Sequence, residues 1–245
     1  MKLLKWDRLP YKMQTDEVKE YYNILNKKRF SLFFKRVFDI VVALLMLILL
    51  SPIFIILALL IKIDSKGPIF YKQIRITQYG KQFKIHKFRS MHILADNGSQ
   101  ITVDHDPRVT RIGKYIRKFR LDEISQLIDV LLGSMTFVGT RPEVPKYVDK
   151  YTPEMMATLL LPAGVTSEAS IYYKDEAKLL KDNKNTDDVY MEEVLPVKMY
   201  YNLKAIKNFS FWRDIKIMFM TFFAVLGKKY KGDYKGNKEE TGNGF

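Results

Sequence analysis

An α+β fold, mostly helical and built on one membrane element, is what this sequence predicts. Three observations carry that prediction. The run Ile40 to Ile61 holds twenty-two uncharged, almost wholly apolar residues, long enough to cross a bilayer as one helix. Apolar residues recur at helical spacing elsewhere, as in Leu121, Ile124, Leu127, Ile128 and Leu131. Ile69-Phe70-Tyr71 and Gln82-Phe83-Lys84-Ile85 lie either side of Tyr79-Gly80 and read as short strands.

The membrane element, from about Leu32 to Lys62, carries Ser51-Pro52 at its middle. Proline removes a backbone donor and clashes with the preceding turn, so Pro52 is expected to kink the helix. Lys27, Lys28, Arg29, Lys35 and Arg36 flank the run on one side, and Lys62, Lys66, Lys72, Arg75 and Lys81 on the other. Basic residues beside a membrane segment favour the cytoplasmic side, and here both flanks ask for it. Ile40 to Leu50 rises only about 16 Å, roughly half the hydrocarbon thickness. On these features the segment either dips in and returns or spans as an ordinary kinked helix.

The remaining elements follow from punctuation and periodicity. Residues 1–31 form a basic N-terminal extension with Pro10 and a helix from Asp16 to Lys27. Its Trp6, Tyr11, Tyr21 and Tyr22 suit either headgroup level or plain packing. Residues 32–63 are the membrane helix, closed by the turn Asp64-Ser65-Lys66-Gly67-Pro68. Residues 64–227 are a cytoplasmic and interfacial domain. Within it, 94–107 read as a polar loop, Arg108 to Gly133 as helix, Phe137 to Pro145 as loop and Pro145 to Leu160 as helix. Residues 162–173 read as irregular or extended, and 174–208 as helical, with a charged stretch at 175–188. Phe209 to Leu226 is aromatic and apolar, interrupted by Arg213, Asp214 and Lys216. It suits an amphipathic helix lying in the interface and a buried core helix equally. Residues 228–245 are a polar tail expected to be disordered.

Lys and Arg number 41 against 27 Asp and Glu, giving a net charge of +14, and the pI is 9.6. Such a surface attracts polyanions: nucleic acid, anionic lipid or phosphate-rich small substrates. The apolar run and the lack of a nucleic-acid module argue against nucleic acid. There are no cysteines, which excludes disulfides, thiolate nucleophiles and cysteine-ligated zinc. The apolar run is too long and starts too late for a cleaved signal peptide. These features describe an integral membrane protein whose polar domain stays in the cytoplasm.

The sharpest local feature is Arg117-Lys118-Phe119-Arg120-Leu121-Asp122-Glu123. Adjacent carboxylates follow three basic side chains, which favour the ionised form. An ionised Asp can attack phosphorus or hold Mg²⁺. Taken alone, the pair is ordinarily a solvated helix face. In Phe137-Val138-Gly139-Thr140-Arg141-Pro142, Gly139 permits an unusual backbone angle and Pro142 stiffens the exit, so Arg141 is presented from a fixed loop. A guanidinium suits bidentate phosphate binding, and a structural turn with a surface Arg is the plainer alternative. Lys87 and Arg89 are two apart and, on a strand, share one face as a basic stripe. His86, His92 and His105 are scattered without zinc spacing. No Walker loop and no dinucleotide-type glycine pattern is present.

These motifs follow one another in order: Lys35-Arg36-Val37-Phe38-Asp39, an apolar run with Ser51-Pro52, Phe83-Lys84-Ile85-His86-Lys87-Phe88-Arg89-Ser90-Met91, Leu121-Asp122-Glu123-Ile124-Ser125-Gln126-Leu127 and Gly139-Thr140-Arg141-Pro142. The ordered set resembles the bacterial sugar transferase family, the monotopic polyprenyl-phosphate phosphoglycosyl transferases, over about Ser31 to Leu226. The resemblance implies a re-entrant membrane helix broken at Ser51-Pro52, with both ends cytoplasmic and Lys35, Arg36 and Asp39 as polar contacts of the anchor. It implies transfer of a phospho-sugar from a UDP-sugar to undecaprenyl phosphate, releasing UMP, with Mg²⁺ as cofactor. Asp122 then carries a covalent phospho-sugar, Glu123 supports Mg²⁺ together with it, and Arg117, Arg141, Lys87 and Arg89 hold phosphate. It places the chain at the bacterial inner membrane, among phospholipids, at the first membrane step of a surface glycan pathway. Downstream glycosyltransferases and a second copy of the chain are compatible partners.

Two departures stand out. The family's Gly-Pro-Arg-Pro is here Gly139-Thr140-Arg141-Pro142, and its Pro-Gly-Ile-Thr-Gly is here Pro162-Ala163-Gly164-Val165-Thr166-Ser167. The first leaves a less rigid loop as the expectation, and the second bears on donor choice. The competing reading is a membrane-anchored basic binding or regulatory protein. It accounts for the charge and the anchor but not for the ordered motifs, and a Mg²⁺ requirement separates the two.

Overall fold

The computed structural model describes residues 1–92, 108–172 and 186–234. The polar loop expected at 94–107, most of the charged stretch at 175–188 and the end of the polar tail lie outside these residues. The described chain is mostly helical with two small strand pairs, as the sequence predicts.

Helix α1 (Asp16–Lys27) opens on Thr15, whose hydroxyl accepts from the Val18 amide, with Asp16 and Glu17 in the first turn. An N-cap hydroxyl and acidic first-turn residues both favour a helix start. Its inner face buries Val18, Tyr21, Tyr22 and Leu25. These join Leu3, Leu9 and Met13 over Leu159, Leu160, Ile206 and Phe209. The N-terminal extension is therefore part of a core, and Tyr21 and Tyr22 pack inside it, whereas Tyr11 is exposed.

Helix α2 (Arg29–Asp64) is the apolar element. Only 11% of its most apolar window is buried within the protein, so it is not the core helix of a soluble domain. Helical residues continue through Pro52. Proline leaves the carbonyl four residues earlier without its donor, and here the Ser51 hydroxyl donates to that carbonyl, Ile48 O, at 2.8 Å. In hydrocarbon an unmet carbonyl costs several kcal/mol, so the serine beside the proline has a direct physical role.

Both ends of α2 are bonded to the same domain. Near its start, buried Lys35 donates to Val138 O at 2.9 Å and to Asp214 Oδ2 at 2.6 Å. Arg36 donates to Val130 O and Leu131 O, and Asp39 accepts from the Thr136 hydroxyl at 2.7 Å. Near its end, Arg89 donates to the carbonyls of Ile61, Ser65 and Lys66. Leu57 and Ile61 pack with Phe88 and Ile116.

Strands β1 (Phe70–Ile76) and β2 (Gln82–Phe88) form an antiparallel hairpin in which Tyr71 faces Lys87 and Arg75 faces Phe83. Its turn carries Tyr79 and Gly80 at positive φ. Helices α3 (Arg111–Lys118) and α4 (Gln126–Leu132) follow, then β3 (Met135–Val138) and the short α5 (Pro145–Val148). A 3₁₀ turn, Met155–Leu160, leads to β4 (Ala163–Thr166), which pairs parallel with β3. The expected single helices over Arg108–Gly133 and Pro145–Leu160 are thus each broken in two, and Phe137 and Val138 are strand rather than loop.

After α6 (Glu168–Tyr172) and α7 (Thr186–Val189), a π turn at Tyr190–Val194 leads into α8 (Leu195–Lys207). Pro196 gives a cause: its ring clashes with the carbonyl four residues back in an α-turn, and a widened turn relieves the clash. The last helix, α9 (Phe211–Val225), buries Asp214, Ile217 and Ala224. It leaves Trp212, Phe219, Phe222, Phe223 and Val225 exposed. One face meets the domain and the other is a large exposed apolar surface, which favours the interfacial of the two expectations.

Candidate active site

Asp122 and Glu123 do not lie on a regular helix. α3 ends at Lys118, Arg120 adopts φ 53°, and Leu121–Glu123 form one 3₁₀ turn before α4 begins. A non-glycine residue in the left-handed region is uncommon and collects at functional sites. The sequence suggested unbroken helix because its apolar spacing persists, but the reversal at Arg120 interrupts it. Ser125, fully buried, fixes this turn to the hairpin: its hydroxyl is 3.0 Å from the carbonyls of both Asp122 and His86. Beneath it, Asp129 accepts from the His86 amide at 2.9 Å and lies 2.8 Å from His86 Nδ1. His86 is thereby a strut between β2 and α4.

Three elements converge on the Asp122–Glu123 pair. Lys87 from β2 lies 3.8 Å from Glu123 Oε1. Arg141, from the loop after β3, pairs with both carboxylate oxygens, the Nη1–Oε2 bond being 3.3 Å, and also donates to Val165 O. Arg117 at the end of α3 and Lys87 both act on Asp122. Of the residues the sequence singled out, Asp122, Glu123, Lys87, Arg141 and Arg117 come together.

Arg89 does not join them. The strand ends at Phe88, and Arg89 turns back to the carbonyls at the end of α2, capping a helix instead of extending a basic stripe. A guanidinium among the unpaired carbonyls of a helix C-terminus is favourable, and that local geometry overrides the alternation expected of a strand. His92 is exposed and His105 lies outside the described residues.

The loop holding Arg141 is fixed by close backbone approach. The Gly139 amide donates to Thr166 O at 3.0 Å and the Gly164 amide to Thr140 O at 2.8 Å. A Cβ on Gly164 would stand 2.2 Å from the carbonyl oxygen of Gly139, so this crossing admits no side chain. Gly139 itself is absent from the positive-φ residues: it is needed for closeness, not for an unusual angle. Thr140 and the altered Pro162–Ser167 segment form one tied unit, and the ladder supplies the rigidity that a proline at position 140 would have given.

Burial and neighbouring charge drive the two carboxylates apart. Burial pushes Asp122 above its ordinary value, Lys87 opposes this and the Glu123 charge adds to it. Burial pushes Glu123 up as well, but Arg141 and Lys87 outweigh it and hold the group at about 2. Glu123 is a fixed anion with two cation partners. Asp122 is the more basic carboxylate and is not tied down by a direct ion pair among the described residues. Such separation of two neighbouring acids marks different roles.

Arg75, on β1, is the site neighbour the sequence reading missed as such. Nη1 donates to Pro142 O at 3.1 Å, and Nε and Nη2 donate to Gln73 Oε1. Its spacing of two from Gln73, on a strand facing Lys87, was the available signal.

The fold joins a long, exposed apolar helix to a cluster of two carboxylates and several cations, the layout of a membrane-associated protein. The family model for bacterial sugar transferases matches residues 30–228, and the chain belongs to that family. It is 36% identical over 198 residues to the UDP-N-acetylgalactosamine-undecaprenyl-phosphate N-acetylgalactosaminephosphotransferase of Aeromonas hydrophila, covering 79% of this chain and 44% of the relative. It is 35% identical over 198 residues to the UDP-glucose:undecaprenyl-phosphate glucose-1-phosphate transferase of Klebsiella pneumoniae, with 79% and 40% covered. It is 33% identical over 215 residues to the undecaprenyl-phosphate galactose phosphotransferase of Salmonella typhimurium, with 81% and 42% covered. The chain spans about two fifths of the length of these curated relatives.

Proposed function

We propose that this protein transfers a sugar 1-phosphate from a UDP-sugar to undecaprenyl phosphate, forming a lipid-linked diphosphosugar and UMP. The observation that carries the reading is Asp122, without a direct ion pair among the described residues, set beside Lys87 and Arg117 and next to the Glu123–Arg141 pair in a bacterial sugar transferase fold. The relatives' names supply the donor and acceptor classes and name three different sugars.

In the proposed reaction an Asp122 carboxylate oxygen bonds to the phosphorus that carries the sugar. The bond from that phosphorus to the UMP oxygen breaks, and UMP leaves with the electron pair. A phosphate oxygen of the lipid then attacks the same phosphorus, and the Asp122 carboxylate is returned. Phosphoryl transfer depends on positioning and charge neutralisation. Arg141 and Arg117 would hold phosphate oxygens, and Lys87 favours the ionised form of Asp122 against its burial. Glu123 orients Arg141 and Lys87. A covalent intermediate lets a soluble donor and a membrane-bound acceptor use one site in turn.

Two adjacent carboxylates fit Mg²⁺, which takes one or two protein carboxylates and fills its shell with water and substrate phosphate. Asp122, which has no direct ion pair among the described residues, would hold it together with Glu123, whose oxygens keep lone pairs beyond those that Arg141 takes. When bound, Mg²⁺ supplies neutralisation of developing phosphate charge.

The bent-helix reading has support from the ends of α2. Along a straight helix Arg36 and Ile61 would be about 38 Å apart, beyond a hydrocarbon core of about 30 Å. Yet Arg36 is bonded to the end of α4, and Ile61 through Arg89 to the end of β2. The polar contact between Asp129 and His86 joins these two elements. A straight crossing would draw this polar path through the bilayer. A dip with both ends on the cytoplasmic face keeps it at the headgroup plane of the inner membrane, where the lipid phosphate lies. The exposed apolar faces of α2 and α9 would meet lipid there, and the product is a substrate for later glycosyltransferases of a surface glycan.

The test is UMP release by protein in lipid nanodiscs with undecaprenyl phosphate, Mg²⁺ and a panel of UDP-sugars. Release that requires lipid, Mg²⁺ and Asp122 is expected. Release unaffected by Asp122→Asn would overturn the mechanism, and Mg²⁺-independent vesicle binding without release would favour a basic binding protein.

A further inference from the structure

A third cation stands beside the two at Glu123, and the proposed reaction leaves it without a task. Arg75 shares the hairpin face of Tyr71 and Gln73, and Tyr71 faces Lys87 across the ladder. A guanidinium carries five N–H donors. Gln73 Oε1 accepts from Nε at 3.1 Å and from Nη2 at 2.7 Å, and Pro142 O accepts from Nη1 at 3.1 Å. One N–H on each Nη therefore has no acceptor among the described residues.

The Glu143 charge attracts Arg75. Glu143 is itself held by the Tyr190 hydroxyl at 2.6 Å and by Lys198 at 3.4 Å, and Lys198 donates to the Tyr190 oxygen at 3.0 Å. Tyr190 opens the π turn and stacks on Tyr147, ring centroids 4.6 Å apart. Glu143 is thus held by two partners of its own.

Arg75 is also repelled by Arg141, and Lys87 in turn by both. Arg75, Arg141 and Lys87, with Arg117 beside Asp122, are four cations against the two carboxylates of Asp122 and Glu123, a surplus of positive charge. Like charges so placed are unfavourable until an anion of two or more charges joins them.

We propose that Arg75 is the second guanidinium of a diphosphate clamp, donating directly to a phosphate oxygen opposite Arg141. This rests on the transferase reading, in which the diphosphate belongs to the nucleotide donor. Planar forks that bind phosphate bidentately are well suited to this task. Gln73 and Pro142 O set the angle of the fork, and the Glu143–Tyr190–Lys198 brace sets its depth.

The experiment is calorimetric titration of the full chain in nanodiscs with UDP, and separately with UMP, at fixed Mg²⁺ and salt. The proteins are wild type, Arg75→Gln, Arg75→Lys, Arg141→Ala and the Arg75→Gln/Arg141→Ala double variant. Arg75→Gln is expected to weaken UDP binding about tenfold or more and UMP binding less, Arg75→Lys to recover only part of the loss, and the double variant to lose more than Arg141→Ala. Unchanged UDP affinity in Arg75→Gln would overturn the clamp. So would a double variant no weaker than Arg141→Ala, because Arg75 would then act only through the loop. If Arg75→Gln does not fold, Arg75→Lys decides: weakened UDP binding supports the fork and wild-type binding overturns it. Because no turnover is measured, a protein that binds UDP through Arg75 but releases no UMP keeps the clamp and refutes the transferase. A wild type that binds neither nucleotide refutes the clamp.

Discussion

Two charged clusters flank the chain's membrane helix, and their difference separates a staple from a site. In the first, Lys35, Asp214, Asp39 and Arg36 are matched by one another or by carbonyls and hydroxyls. In the second, Asp122 and Glu123 face Lys87, Arg141, Arg117 and Arg75, and the cations outnumber the carboxylates they meet. Both clusters are largely buried and both join distant segments. The first is electrically closed and holds a helix on a domain. The second is held open by its own geometry, with Asp122 lifted by burial and Arg75 keeping donors without an acceptor among the described residues.

Substitutions should break the two clusters in different ways. The largest effect expected is on turnover: Asp122→Asn should lower UMP release about 10⁴-fold with the thermal unfolding midpoint near that of wild type. Comparable release would remove Asp122 from the chemistry. In the closed cluster, Lys35→Met strands Asp214 in a buried place, and breaking a buried pair costs about 3–5 kcal/mol. Denaturant unfolding in nanodiscs should show that loss, with turnover per folded molecule close to wild type. A proportionate loss of turnover would mean that the staple also shapes the site.

Arg141→Lys should reduce the maximal rate about 100-fold, since a point charge replaces a fork directed at the reacting phosphate. A change confined to KM would make Arg141 a ground-state contact only. The smallest effect expected is on pH dependence. Asp122 must be ionised to attack, burial raises its pKa and Lys87 lowers it. Removing Lys87 by Lys87→Met should therefore move the acid limb of the rate profile to higher pH. Glu123 should leave a separate mark on stability. Its pKa is brought from 4.5 to about 2 on folding, so its contribution is complete above about pH 4.5 and is lost as pH falls through about 2. An acid limb that does not move in Lys87→Met would detach Lys87 from Asp122.

Much of the staple and of the site was legible in the chain. The apolar run gave α2, and the turn signals gave the hairpin. Asp122, Glu123, Lys87 and Arg141 were named from local pattern and family likeness. Arg89 was misread because a strand period predicts a face only while the strand lasts, and the chain turns at Phe88 toward the open carbonyls of α2. The helix expected through Asp122 was misread because apolar spacing does not report a φ of 53° at Arg120. Arg75 went unplaced at the site because its role depends on Pro142 and Glu143, more than sixty positions away.

The sequence by itself determined the inventory: one long apolar helix with a proline and its serine, a basic surface, two adjacent carboxylates and the glycines that let backbones touch. Those properties are local, fixed by composition, period and the stereochemistry of single residues. Only the tertiary structure decided which charges are spent inside the fold and which are left in surplus. Burial and the distance between groups far apart in the chain set that division. By those two quantities Lys35, next to Arg36 in the sequence, closes a staple, and Arg75, two residues from Gln73, keeps donors without an acceptor among the described residues.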